Sequence, residues 1–423
     1  MHHSQRMARP NLRGNHSPRR FFVLALLVQI GLFQSSNAAA KAYEPSDDRQ
    51  ILATIPAGAR HTELSARDLA RTRIDVALPL AHFYIKQARS SGDLRFLGYA
   101  EAVLEPWLSG PNMSADALVL HATVLQSRHD FTPALAVIDQ ALKLRRDDAQ
   151  ALLTRATILR VLGRYDEALA SCEQLSQRAA SEVTELCTQS LHGLTGDLPA
   201  AYARISQLSS QGMPAAERAW RDSELGEMAL RLGRDGDAEH WFQNGLRAAP
   251  DDFYLKAAYA DLLLHSQRAR EVLTLLKGQD SIEPLLLRIA IAQKQLRDPG
   301  LDASRARLTA AFAAEEQRGE GIHRREQARF LLEVQEQPRV ALQVALINWQ
   351  VQHENDDVLV LLHAAQAAGA ITQAQSALDF VRANNLQDVR IEAITSRLTG
   401  VTAHPTATAL TTKNAPTNMA DSL

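Results

Sequence analysis

Aromatic side chains make up only 5% of this 423-residue chain, and it has only two cysteines. Alternating runs of Val, Ile, Thr and aromatics bounded by turn residues are nearly absent, so a sheet domain has little to be built from. Long apolar runs are missing too. The longest, Phe21 to Phe33, has thirteen residues interrupted by Gln29 and Gly31, short of the roughly 20 a spanning helix needs. A basic stripe is also lacking. With Arg6, Arg9, Arg13, Arg19 and Arg20 set aside, residues 41–423 carry 41 basic against 48 acidic side chains, a net of −7, which disfavours nucleic acid as a partner.

Chemical constellations are equally scarce. The fourteen histidines form no His-Glu-x-x-His, no His-x-His and no Cys/His spacing with metal-ligand geometry, so no metal is expected. The glycines assemble no phosphate loop, and GLTGD at 193–197 reads as a hairpin turn. HENDD at 353–357 lacks the alternating carboxylates and the glycine of a calcium loop and reads as a helix cap. No catalytic residue and no cofactor are expected.

What the chain does have is Ala, Leu, Arg, Glu and Gln in abundance, the residues that enter a helix at least cost. Its front is distinct: five arginines, the apolar run, then Ala38, Ala39 and Ala40, small residues of the kind a signal peptidase accepts. Residues 1–40 are expected to be a cleaved secretory signal, the alternative being an uncleaved anchor, and the mature protein to lie in the periplasm or outside the cell. SPRRFF (17–22) resembles a twin-arginine signal, with Pro18 breaking the match.

From about residue 115 the sequence repeats. Ala122 and Ala134 stand twelve apart, and Ala156 and Ala168 follow each of them by thirty-four. The step recurs with slippage at Ser190 and Ala201, then at Gly226 and Ala238, and again at Ala260 and Val272. Small residues at two fixed places let paired antiparallel helices approach closely, and hairpins that cannot bury their apolar faces alone must stack. Gly163 and Gly233 sit where a left-handed residue would end the first helix of a hairpin.

Within DSELGEMALRLGRDGDAEHWFQNGLRAAP, Leu225, Gly226, Ala229, Ala238, Phe242 and Pro250 fall at the spacings of the tetratricopeptide repeat, which the segment resembles. Asp222 replaces the usual tryptophan and Gly245 a small alanine. The resemblance implies an all-α fold, a right-handed α-solenoid of stacked helix hairpins. The expected order is a signal at 1–40, a linker at 41–65, a divergent hairpin at 66–110, clear repeats at 111–280, divergent hairpins at 281–397 and a disordered tail at 398–423. Stability distributed along such a stack would let the part up to Pro299 fold alone.

Cys172 occupies the core position that Phe242 and Ile138 hold in other units and reads as buried, not as a nucleophile. Cys172 and Cys187 fall on helices expected to pack together, and form either a disulfide or two separate thiols.

The resemblance also implies a role. Members of the family hold a peptide or protein partner in the concave face. The corresponding positions here are Gln126, Thr157, Arg160, Trp220, Glu227, Arg231, Tyr254, Asp261 and His265. The expected function is a non-catalytic envelope scaffold, with Trp220, Tyr254, Arg160 and Arg231 exposed to an apolar and acidic peptide. The alternative is an accessory or regulatory subunit of an envelope enzyme or of an assembly or export machine.

Overall fold

The computed structural model describes residues 66–318, 321 and 323–399. The expected signal, the linker and nearly all of the tail lie outside them. All regular structure among the described residues is helical. The first hairpin is α1 (Ile74–Ser91) and α2 (Arg95–Leu104). It is followed by α3 (Ala115–Ser127) with α4 (Phe131–Leu144), and α5 (Ala149–Val161) with α6 (Tyr165–Leu175). Next come α7 (Ser181–His192) with α8 (Leu198–Ser206), and α9 (Ala215–Arg231) with α10 (Asp235–Ala248). Then follow α11 (Phe253–His265) with α12 (Ala269–Leu275), and α13 (Glu283–Leu296) with α14 (Leu301–Gln317). The last part runs through α15 (Arg324–Arg329), a π-helical turn at Phe330–Val334, α16 (Pro338–Trp349), α17 (Asn355–Ala367), α18 (Gln375–Ala383) and α19 (Val389–Thr399).

The small residues sit where the repeat requires them. Ala122, Ala134, Ala156, Ala168, Ala229 and Ala238 are buried at the hairpin seams. A Cβ added to Gly226 would come within 2.3 Å of the Phe242 ring, so the repeat's glycine is what lets α9 and α10 close. Gly245 has a similar cause: a Cβ there would meet Leu255 at 3.0 Å and the Asp222 side chain at 3.4 Å. The two departures from the family pattern thus share one contact. Helix starts repeat as well, with Ser114 accepting from the Ala117 amide and Asp148 from the Ala151 amide. Hairpin turns take a left-handed residue at Gly163 (φ 70°) and Gly233 (φ 71°), and equally at His129 (φ 61°) and Gln267 (φ 59°). Both non-glycine residues stand one 34-residue step from a glycine.

Stacked hairpins of this kind form an α-solenoid, and this one winds tightly enough to meet itself. The turn at Gly92 lies against Ile282, His129 packs edge-on to His323, Gly163 abuts His353 and Phe380, and Gly196 abuts Asn385. The sequence separations of Gly92 and Ile282, His129 and His323, Gly163 and His353, and Gly196 and Asn385 are 190, 194, 190 and 189 residues. A constant step of this size means that each turn of the early hairpins contacts the chain about five and a half repeats later. Hydrogen bonds cross the same boundary: the His353 amide donates to the Val161 carbonyl at 2.8 Å, and the Leu198 amide to Gln387 Oε1 at 3.1 Å.

One apolar cluster accordingly draws on residues 118–194 and 328–394 together, including Leu159, Tyr165, Leu342, Trp349 and Leu361. The expectation that the part up to Pro299 folds alone is revised on this ground, because that fragment would expose half of a shared core. Cys172 is fully buried and bonded to Cys187, with 5.8 Å between their Cα atoms, and the bond ties α6 to α7.

Candidate functional site

The expected groove residues sit on the inner helices, but the winding brings them into contact with their own chain. Side chains from helices two hairpins apart reach one another across the concave side. Arg160 on α5 donates through Nη1 to Glu224 Oε1 on α9, and its Nη2 lies 3.8 Å from Glu227. Asp261 on α11 receives both Arg288 on α13 and Arg329 on α15, with Nη2 of each at 2.6 and 3.0 Å. Such pairs require a small radius, so this stretch of the inner face is an ion-pair network.

Each expected residue has a definite place in it. Trp220 Nε1 donates to Glu224 Oε1 at 3.3 Å while the ring packs against both large apolar clusters. Glu227 accepts from the Tyr254 hydroxyl. Burial first, and the Glu224 carboxylate second, push Glu227 up to about 7 against the pull of Arg160. Burial and Glu227 likewise hold the Tyr254 phenol well above its ordinary value, although 46% of the residue remains open to solvent. Asp261 is held well below the usual carboxylate range, since Arg288 and Arg329 outweigh the effect of burial. Thr157 returns its hydroxyl to the Leu153 carbonyl of its own helix at 3.0 Å. Gln126 is half-buried on α3 and His265 is exposed at the end of α11.

The expectation that Arg160 and Arg231 are exposed to a partner is corrected. Arg231 is 5% exposed, with Nη1 donating to the Gly193 carbonyl at 2.8 Å. Arg160 is committed to Glu224. An acidic peptide would find neither fork free.

The C-terminal elements contribute residues that the repeat pattern does not pick out. Asp357 Oδ1 accepts from Asn348 and Gln352 at 2.8 and 3.2 Å, and burial raises its carboxyl to about 7. The HENDD segment forms a capping box, with the Glu354 side chain on the Asp357 amide and Asp357 Oδ2 on the Glu354 amide at 2.8 Å. Arg325 bonds Glu354 at 3.0 Å, and Arg390 bonds Asp388 at 2.7 Å. A further group joins α13, α14 and the start of α15: His323 Nδ1 lies 2.8 Å from Glu315 Oε1 and 3.1 Å from Glu283 Oε1. Burial opposes the charge there, but the two carboxylates raise His323 to about 10. His129 across from it is lowered to about 4, mainly by burial.

A partial signal for these pairs exists in the sequence. Glu227 and Tyr254 are 27 residues apart, as are Asp261 and Arg288, the step from one inner helix to the next. No spacing rule reaches Glu283, Glu315 and His323.

No family model and no curated protein matches the chain. Among solved structures it is similar to a tetratricopeptide repeat protein from Parabacteroides merdae, at 13% identity over 70% of this chain and 99% of that one, with a TM-score of 0.34. Human IFIT1, as a dimer with m7Gppp-AAAA, is 9% identical over 76% and 94%, with a TM-score of 0.42. PilF of Pseudomonas aeruginosa is 19% identical over 59% and 96%, at 0.28. At these TM-scores the likenesses carry no argument about partners. By its own helix pairing and small-residue seams, the chain is an all-helical solenoid of tetratricopeptide-like hairpins.

Proposed function

We propose that this chain is a non-catalytic interaction scaffold of the cell envelope, exported by its N-terminal segment, and that it holds a protein or peptide partner on the concave side around α9 and α11. The observation that carries this reading is Tyr254. It is a large aromatic 46% exposed on an inner helix, beside Glu227 and about three helical turns from the exposed His265. Aromatic anchors of this kind dominate binding energy at interfaces. With Arg160 and Arg231 neutralised internally, the accessible polar chemistry is carboxylate and phenol. The fitting partner segment therefore carries an apolar side chain beside a basic one, rather than an acidic one.

The test is site-specific photocrosslinking in cells. A photoreactive amino acid at position 254 should give a discrete adduct, and one at Glu173, exposed on a second helix, should not. Adducts at 173 with none at 254 would move the interface to the convex side.

A further inference from the structure

We propose that Glu283, Glu315 and His323 form a binding site for one divalent transition-metal cation, Zn²⁺ by ligand chemistry, that clasps the connection between α14 and α15 to the start of α13. Glu283 is the first residue of α13, Glu315 lies in the last turn of α14, and His323 immediately precedes α15. One ligand atom from each comes within 4.8 Å of the others.

Two observations point to a cation. The first is geometric. His323 Nδ1 stands 2.8 and 3.1 Å from the two carboxylate oxygens. Tetrahedral ligands at about 2.0–2.2 Å from zinc are separated from one another by about 3.3–3.6 Å, so these atoms need to open by only a few tenths of an ångström to become neighbouring ligands of one ion. The second is a hydrogen-bond deficit. Nδ1 can carry only one proton, and that proton is engaged by Glu315. Glu283 Oε1, buried and 3.1 Å from the same nitrogen, is left without a hydrogen bond of its own, which is costly for a buried charged oxygen. A single cation would satisfy all three atoms at once.

The charge balance agrees. An ion binding there displaces the imidazole proton to solvent, and two carboxylates with a neutral imidazole then present two negative charges to it. Of the cations nearby, Arg288 is paired with Asp261 at 2.6 Å and Arg325 with Glu354 at 3.0 Å, and both also flank Glu326, so their charge is spent on other carboxylates. An imidazole with two carboxylates suits zinc, with manganese as the harder alternative. The His129 ring, 6.3 Å from that of His323 between centroids, is the nearest further nitrogen donor. It stands on the preceding winding of the solenoid, and the site thus lies at the self-contact.

The test uses the full chain, free of any affinity tag and stripped with chelator. Titration calorimetry with ZnCl₂, and separately with MnCl₂, should find one saturable site for at least one of the ions. Glu283→Gln and Glu315→Gln should each weaken that site at least tenfold, and Glu316→Gln, on the exposed side of α14, should leave it unchanged. If a variant fails to fold, the wild-type protein still decides: the bound ion should slow hydrogen exchange across 315–323. Absence of saturable binding by either ion, affinities equal in Glu283→Gln and wild type, or unchanged exchange at 315–323 would overturn the proposal.

Discussion

The amide of His353 donates to the carbonyl of Val161 at 2.8 Å across 192 residues of sequence. Val161 is the last residue of α5, so its carbonyl is one of those a helix leaves without an internal partner. The later winding of the solenoid supplies that partner. Two residues on, Gly163 adopts φ 70°, and a Cβ there would meet the Phe380 ring at 2.7 Å.

Gly163→Ala therefore carries two costs, the left-handed backbone and the clash. Gly278, at φ 75° with nothing within 4 Å, carries only the first. Gly278→Ala is expected to cost about 1 kcal/mol, and Gly163→Ala about 1–3 kcal/mol more. Urea denaturation of the two variants measures the difference, and equal losses would mean that Phe380 does not press on this turn.

Arg160 and Arg231 should behave as structural residues. Removing Arg231 leaves the buried Gly193 carbonyl unpaired, and removing Arg160 leaves Glu224 without its cation. Each Ala substitution is expected to cost about 1–3 kcal/mol, read as a lowered denaturation midpoint. Losses under about 0.5 kcal/mol would be those of exposed side chains and would contradict the placement.

Much of the fold was legible because a seam needs small residues wherever two helices close. Gly226 against Phe242 is written directly into the 34-residue step, and the left-handed turns at Gly163 and Gly233 were readable from glycine. His129 and Gln267, which hold the same conformation without glycine, were not. Arg160 and Arg231 lie on first helices of their hairpins, α5 and α9, yet both are turned to the chain itself rather than to solvent. Exposure depends on the radius of the winding, a sum of small rotations per hairpin that no local motif encodes. Arg160 meeting Glu224, and Gly196 meeting Asn385, are consequences of that radius. The Glu283, Glu315 and His323 group belongs to three elements and has no shared period, so no spacing template could find it.

Glu227 should make stability depend on pH. Its folded value is raised to about 7 from an ordinary 4.5, so between those values the folded state binds more protons than the unfolded one. Stability from this group is present at low pH and falls as pH rises through 7. The charged and titratable groups facing it include Glu224, Arg160, Tyr254 and Asp356, with Arg231 and Arg390 also within electrostatic reach. Glu227→Gln, which can still accept from Tyr254, should gain on wild type by an amount on the order of 1–2 kcal/mol between pH 5 and pH 8. A stability difference constant over that range would place the carboxyl in ordinary solvent.

The Cys172–Cys187 bridge closes a loop of separation 15, for which chain entropy gives a contribution of about 3 kcal/mol. Thiol counting in denaturant without reductant should find no free thiol. Reductant should lower the melting temperature, and two free thiols in the untreated protein would remove the bridge.

The contact between windings at a step of about 190 residues can be trapped covalently. A Cβ at position 163 would lie 3.1 Å from that of His353, and one at position 196 would lie 3.1 Å from that of Asn385, close to the Cβ separation of a disulfide, about 3.5–4.5 Å. Gly163→Cys with His353→Cys, and Gly196→Cys with Asn385→Cys, are each made in the chain with its native bridge and oxidised mildly at low protein concentration. Peptide mapping should show 163 joined to 353 in one variant and 196 joined to 385 in the other, both within a single monomer. Free thiols at all four positions, with the native bridge intact, would describe an open solenoid and contradict the self-contacting fold.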